Sequence, residues 1–395
     1  MTPSAVYLDH NATTPVRPEV VEAMLPFLRE DFGNPNSPYR LGQRARRAVD
    51  EARGRVARLL NAAPDEIVFT SCGSESDVLA IVGAAQRAVE RPGPGSGRPG
   101  PAKRHLVVSA VEHDAVREAV AGLQRRGFEG TVVGVDAACR VDPEEVRRAI
   151  KPETVLVSVM HANNEVGTLQ PIAEIAAVCR EKGVLFHADA VQSAGKAAVD
   201  VRALGADLVA ISGHKLNAPK GVGALYIRRG VRLSPVVTGH QEKDRRGGTE
   251  NVPSIVGFGR ACELAGQEVA GHAPRLLALR KRLEEGCLAV GGARLNGHPE
   301  HRLPTTCHVS FEGLDGFQLV VALDLEGICA SSGPACSSGA STPSHVLEAM
   351  GVEPRWSLGS LRLSVGWGSS DADVDRLLEV LPRAVEKLRK VGASA

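Results

Sequence analysis

Several large classes are excluded by what this sequence lacks. It has no run of 18 apolar residues, and Met1-Thr2-Pro3-Ser4 does not open a charged leader with a small-residue cleavage site. With neither a membrane span nor a secretion signal, a soluble cytoplasmic protein with no membrane partner is expected. Neither sign of charge dominates: 47 basic side chains stand against 46 acidic ones, and the isoelectric point is near 7.7. A nucleic-acid-binding surface needs a stronger basic bias, so no nucleic-acid partner is expected. None of the eight cysteines (Cys72, Cys139, Cys179, Cys262, Cys287, Cys307, Cys329 and Cys336) forms a C-x-x-C pair. No zinc knuckle, thioredoxin motif or other metal site of the chain's own is indicated. Most of these thiols read as small buried hydrophobes, with one or two at most left for chemistry. No internal repeat is present.

What is there is size and alternation. The 395 residues suffice for one large core and a smaller one. Apolar runs at Ile67–Thr70, Leu106–Val108, Val155–Met160, Val184–Phe186, Leu208–Ile211 and Gly223–Ile227 alternate with helical periodicity from near Glu75, over Asp114–Arg126 and over Pro171–Lys182. Such βα alternation predicts a mostly parallel sheet covered on both faces. The Gly/Pro-rich stretch 91–102 is a surface loop within this pattern, since the alternation resumes beyond it. A long amphipathic helix is predicted over about Val252–Val290, broken near Gly271-His272-Ala273-Pro274. Beyond it, strands such as Cys307–Phe311 mix with helices such as Asp371–Lys390, which reads as an α+β unit.

The most informative residues are His214-Lys215 and Asp189. Both follow apolar strand-like runs, and ligands of open α/β sheets bind at the carboxyl ends of their strands. A lysine able to form a Schiff base, beside a carboxylate that keeps a pyridine nitrogen protonated, suits pyridoxal phosphate (PLP). Alone the pair is a weak signal, because many α/β proteins carry such residues at strand ends.

Other strand ends carry polar clusters that admit two readings each. Thr70-Ser71-Cys72-Gly73-Ser74-Glu75 is either a phosphate cradle at a helix start or a capped helix with Ser71 or Ser74 as cap. Ser212 and His214 can add phosphate donors. His113 is either structural or a ring that stacks on a flat cofactor and relays protons. Asn163-Asn164-Glu165 is either a turn or a source of donors for a carboxylate or a ring hydroxyl. Gln192, three residues past Asp189, is placed to reach the same hydroxyl. Cys336 lies in the small-residue stretch Ser331–Gly339. That stretch reads as linker or as mobile arm, and the thiol as inert or as travelling to a substrate. Arg362, within the apolar run Leu361-Arg362-Leu363-Ser364, needs an anion: a bound carboxylate or a structural partner.

Together, ordered segments spanning nearly the whole chain closely resemble the NifS/IscS-type cysteine desulfurases of the class-V aminotransferase family, which are fold type I PLP enzymes. The segments are YLDHNATTP (7–15), FGNPNS (32–37), FTSCGSESD (69–77), VEHDAV (111–116), HANNEVGTLQPI (161–172), FHADAVQSAGK (186–196), SGHKLNAPKGVGALYIRRG (212–230), GHQEKDRRGGTEN (239–251), SSGPACSSG (331–339) and LRLSVG (361–366). The resemblance implies an α/β fold: a mostly parallel seven-stranded sheet in a large domain (16–262), and a smaller α+β domain (1–15 and 263–395) bearing a mobile cysteine loop at about 331–342.

It further implies that Lys215 carries PLP, Asp189 pairs with the pyridine nitrogen, Gln192 with the ring hydroxyl, and His113 stacks on the ring. Gly73, Ser74, Ser212 and His214 would bind the phosphate, Thr249 reaching it from the second subunit of an obligate homodimer. Asn164 would face the cofactor and, with Asn34 and Arg362, hold the carboxylate of L-cysteine. Lys215 would take the Cα proton. The Cys336 thiolate would attack the substrate sulfur, leaving a persulfide and L-alanine. A thiol of pKa about 8.5 is mostly protonated at neutral pH, so His113 is the candidate base.

The sulfur is expected to feed iron–sulfur cluster assembly or thiolation through an acceptor or scaffold protein. Whether Cys336 ever shares a cluster with that partner stays open. Selenocysteine lyase, or another PLP lyase needing no protein thiol, is the alternative enzyme, and a non-catalytic PLP-binding subunit the alternative of another class. The chain departs from the family wording at Thr238, Lys243 and Asp244, at Pro334 beside the cysteine, and at Trp367-Gly368-Ser369-Ser370.

Overall fold

A computed structural model describes residues 5–90, 103–333 and 343–392. Its twelve strands run in chain order as β1 (Val6–Tyr7), β2 (Ile67–Thr70), β3 (His105–Ser109), β4 (Glu129–Val133), β5 (Thr154–Ser158), β6 (Leu185–Asp189), β7 (Leu208–Ser212), β8 (Gly223–Ile227), β9 (Ala293–Leu295), β10 (Thr306–Phe311), β11 (Ile328–Cys329) and β12 (Ser360–Ser364). Seven form one sheet in the order β2-β8-β7-β6-β5-β3-β4. Only β8 runs antiparallel to its neighbours. The predicted α/β architecture, a mostly parallel seven-stranded sheet plus a smaller α+β unit, is the one observed.

The apolar runs are continuous because both faces of the sheet are buried. Along β7, Leu208 and Ala210 join the core on one face while Val209 and Ile211 join the other. Helices Gly73–Val89 and Asp114–Gln124 cover the first face. Helices Pro18–Arg29, Arg40–Leu59, Ile172–Lys182 and the first half of Val252–Ala289 cover the second. Each fully buried Leu, Ile or Val contributes about 1.5–3 kcal/mol.

The smaller unit holds the antiparallel sheet β12-β10-β9 and the parallel pair β1-β11. Its core gathers Leu8 from the N-terminal segment, Leu283 and Cys287 from the long helix, Val309 and Leu363 from the sheet, and Leu377 and Leu381 from helix Asp371–Gly392.

The predicted break near Gly271–Pro274 does not occur. One helix of 38 residues runs through Pro274. Its first half is anchored in the large core by Ile255, Phe258 and Cys262, its second half in the small core by Leu279 and Leu283. The stretch 270–275 is exposed or half-exposed, so the carbonyl that the proline leaves without a donor is within reach of solvent. Burial at both ends outweighs the local penalty.

Candidate active site

The carboxyl ends of the parallel strands converge on a cavity of about 310 Å³. Each strand delivers a polar residue because its apolar run stops there. Gly73 and Ser74 follow β2, His113 follows β3, and Asn164 follows β5. Asp189 ends β6 with Gln192 just beyond it, and Ser212 ends β7, leading into a single turn that carries His214 and Lys215. Arg362 of β12 lines the opposite wall, so the cavity lies between the two units.

The fit to an anionic, flat cofactor can be read from these residues. A Cβ on Gly73 would sit 2.7 Å from Val191 Cγ2 and 3.2 Å from Ser212 Cβ, so only glycine permits this close backbone approach. The buried Ser212 Oγ has no hydrogen-bond partner. Helix Gly73–Val89 points its N-terminus here, which favours negative charge. The cap of that helix is Cys72, whose Sγ accepts the Glu75 amide at 3.4 Å; neither Ser71 nor Ser74 serves. Ser74 is therefore not consumed by capping.

Lys215 Nζ donates to the carbonyl oxygens of Asn11 (2.5 Å) and Ala12 (2.7 Å). Asp189 accepts the Val191 amide at 2.8 Å. Burial raises its pKa, opposed by the Val191 amide and then by His113 and Lys215. Behind it Asp77 is raised much further, by burial and then by the charge of Asp189. Burial thus disfavours the charged form more strongly at Asp77 than at Asp189, where the Val191 amide, His113 and Lys215 favour the negative charge that a cationic nitrogen would meet.

His113 has the structural role, and its position leaves the other reading available. It caps helix Asp114–Gln124, Nδ1 accepting the Ala115 amide at 3.1 Å, and it also lines the cavity. In the neutral ring this bond places the proton on Nε2. His214 Nδ1 lies 3.2 Å from Thr13 Oγ1, and burial, then the charge of Lys215, lowers its pKa to about 4. Asn163 takes the turn role, its Oδ1 accepting the amides of Glu165 (2.9 Å) and Val166 (3.0 Å), while its neighbour Asn164 reaches the cavity.

Arg362 is 2% exposed and pairs with Asp9 at 2.9 Å. A second nitrogen donates to the Asn164 carbonyl at 3.1 Å, and Nε has no partner. The structural ion pair and a free donor thus coexist on one guanidinium.

Two of the proposed site residues are not brought in by this chain. Asn34 is exposed and accepts the Asn36 amide at 2.9 Å. Thr249, also exposed, borders a separate hollow with Ser71 and Arg246. Cys336 and Pro334 lie outside the described residues. The segments flanking them both meet the cavity wall. Ser331 bridges the backbone of Arg362, and Ser344 Oγ donates to Glu165 at 2.5 Å beside His345.

Sequence reasoning missed Asn11. Its carbonyl accepts from Gln192 Nε2 at 2.9 Å as well as from Lys215, and its amide nitrogen donates to Asn164 O and Thr306 Oγ1. It ties the N-terminal segment, the lysine and the small unit together. The polar run Asp9-His10-Asn11 straight after an apolar strand was the available signal. Glu165 lines the cavity and Glu112 is buried beside it; both stood within the segments that carry the resemblance but were given no role of their own.

Among the described residues no group of three or more His, Cys, Asp or Glu side chains is arranged to hold a metal ion. No described helix is long and apolar enough to cross a membrane.

The class-V aminotransferase family profile matches residues 6–377. The cysteine desulfurase IscS of Methanosarcina thermophila is 48% identical over 388 residues, covering 98% of this chain and 93% of that protein. A solved NifS-like protein superposes with a TM-score of 0.89 at 37% identity, over 97% of this chain and 100% of the other. A structure of SspA in complex with cysteine gives a TM-score of 0.78 at 34% identity, over 91% and 98% of the two chains.

Proposed function

Because this chain belongs to the class-V aminotransferase family, and is a PLP-dependent cysteine desulfurase of the NifS/IscS type that moves sulfur through an active-site cysteine, we propose how its own residues divide that work. When bound, PLP supplies an electron sink that acidifies the substrate Cα–H and labilises the carbon–sulfur bond.

Lys215 is the residue that carries the cofactor and then takes the Cα proton. Asp189 holds its charge against the pyridine nitrogen, and Gln192 donates to the ring oxygen. Gly73, Ser74, Ser212 and His214 receive the phosphate, with Thr249 arriving from the second chain of a homodimer. Its exposure and its distance from the cavity in one chain support that assignment. Arg362, through its unpartnered Nε, holds the substrate carboxylate with Asn164. Asn34, the third proposed contact to that carboxylate, is exposed and does not line the cavity.

His113 has its Nδ1 engaged by the Ala115 amide. In that state Nε2 carries the ring proton and is a donor toward the cavity, so His113 takes the proton of the thiol only after Nδ1 releases the Ala115 amide. Cys336 collects the sulfur. The observation that carries this reading is the convergence of Lys215, Asp189 and Arg362 on one cavity bordered by both flanks of the Cys336 segment.

The persulfide sulfur passes to an acceptor, an iron–sulfur scaffold or a thiolation protein, in the cytoplasm. The large unit corresponds to 16–262 and the small one to 1–15 and 263–395. Mass spectrometry after addition of L-cysteine tests the scheme. The wild type should gain one sulfur on Cys336, and Cys336→Ser should gain none while keeping the visible absorbance that Lys215→Ala loses. Full alanine production by Cys336→Ser would instead favour a lyase that needs no protein thiol.

A further inference from the structure

Lys196 does not line the cavity but lies behind two residues that do, Gln192 and Asn11, and the scheme above leaves it without a role. It leaves a tight turn at Gly195, where φ is +73° and a Cβ would lie 2.2 Å from Leu216 Cδ2. Its Nζ donates to Gln192 Oε1 at 3.0 Å and lies 3.4 Å from Asn11 Oδ1. Among the described residues no carboxylate forms an ion pair with it. Burial, then the charges of Lys215 and Arg362, pulls its pKa down to about 7. The histidines facing it add no negative charge. His10 and His214 are each lowered to about 4, mainly by burial, with Lys196 among the cations contributing. Asp9 is already taken by Arg362.

A buried ammonium without a carboxylate is costly, and hydrogen bonds to amide oxygens offset only part of that cost. Its geometry indicates what it secures. The ammonium form of Lys196 can only donate, so the Gln192 atom it meets is then the oxygen. The Asn11 carbonyl can only accept, so the atom it meets, at 2.9 Å, has to be the nitrogen. The amide is clamped at both ends, which settles which edge is the donor toward the cavity that Gln192 lines.

We propose that Lys196 is a positioning residue for the desulfurase reaction, clamping the Gln192 amide so that its N–H edge serves the ring oxygen of PLP and adding a positive charge behind it. This deepens the assignment of the cavity to PLP and rests on it. A hydrogen bond to the ring oxygen and a nearby cation both favour the less protonated form of the lysine-bound cofactor. Together they hold the midpoint of its pH-dependent visible absorbance low.

Titration of that absorbance in the holoenzyme tests the idea without reference to turnover. Lys196→Met should raise the midpoint by about one unit, roughly tenfold in the protonation constant. Lys196→Arg should stay within about threefold of wild type, about half a unit. In a Gln192→Ala background, Lys196→Met should add about half a unit or less. An unmoved midpoint in Lys196→Met overturns the proposal, and so does an undiminished shift in the Gln192→Ala background, which would mean charge acting alone. Lys196→Gln replaces the methionine variant if that protein fails to accumulate. A wild type without a lysine-bound visible band would sink the PLP assignment itself, a result separate from any effect of Lys196.

Discussion

Burial does as much as contact to set the protonation of individual residues here. Glu112, at the end of β3, accepts hydrogen bonds from Ser109 Oγ and, at 2.8 Å, from the Met160 amide, yet its Oε2 has no partner. Burial pushes its pKa up to about 8 from an ordinary 4.5. The folded chain therefore binds a proton more tightly than the unfolded one. The stability tied to Glu112 is complete below about pH 4.5 and is lost as pH rises through about 8. Thermal midpoints of wild type should fall across that window, and Glu112→Gln should flatten the fall. Equal slopes in the two proteins would contradict the raised pKa. At this scale the sequence named most of the cavity wall, because a polar residue ending an apolar strand is visible in one dimension. It missed Asn11, whose importance comes from partners as distant in the chain as Thr306 and Lys215.

Elements follow local rules where they are buried and depart from them at edges and joints. The strand β4 escaped sequence reading because it lies at the sheet edge and is partly exposed, so Glu129-Gly130-Thr131 interrupts any apolar run. Asp244, where the chain departs from the family wording, has φ of +62°, in a left-handed run with Glu242 and Lys243. That run is held by buried Glu242, which pairs with Arg53 at 2.6 Å and accepts the Phe69 amide at 3.0 Å. The long helix crosses Pro274 on the strength of its two anchored ends. Pro274→Ala restores the missing donor at a surface position, so it should stabilise the protein by about 2 kcal/mol. The gain would be read as a higher denaturant midpoint, and an unchanged or lower midpoint would mean that the proline is matched to its surroundings.

At the scale of the whole molecule, the cavity belongs to neither core alone: Lys215 and Asp189 come from one, Arg362 from the other. On the assignment proposed above, Thr249 would act from a second copy of the chain. Sedimentation should therefore give twice the 41.6 kDa of one chain. Mixed dimers of Lys215→Ala and Thr249→Asp chains test the assignment directly. If Thr249 acts across the interface, a mixed dimer keeps one site with both residues intact, and recovers about half of the wild-type cofactor binding that neither parent shows. If it acts within its own chain, every site carries a lesion and nothing is recovered.

The sequence by itself determined the layered α/β plan and the identity of the lysine, aspartate and arginine. Continuous apolar runs alternating with helical periodicity, and residue chemistry, are local properties that a linear string records. Only the tertiary structure decided that Cys72 caps helix Gly73–Val89, that burial raises the pKa of Asp77 further than that of Asp189, and that Lys196 and Asn11 grip the Gln192 amide. Each of these depends on which groups lose water together, and on which distant segment supplies the hydrogen bond that replaces it.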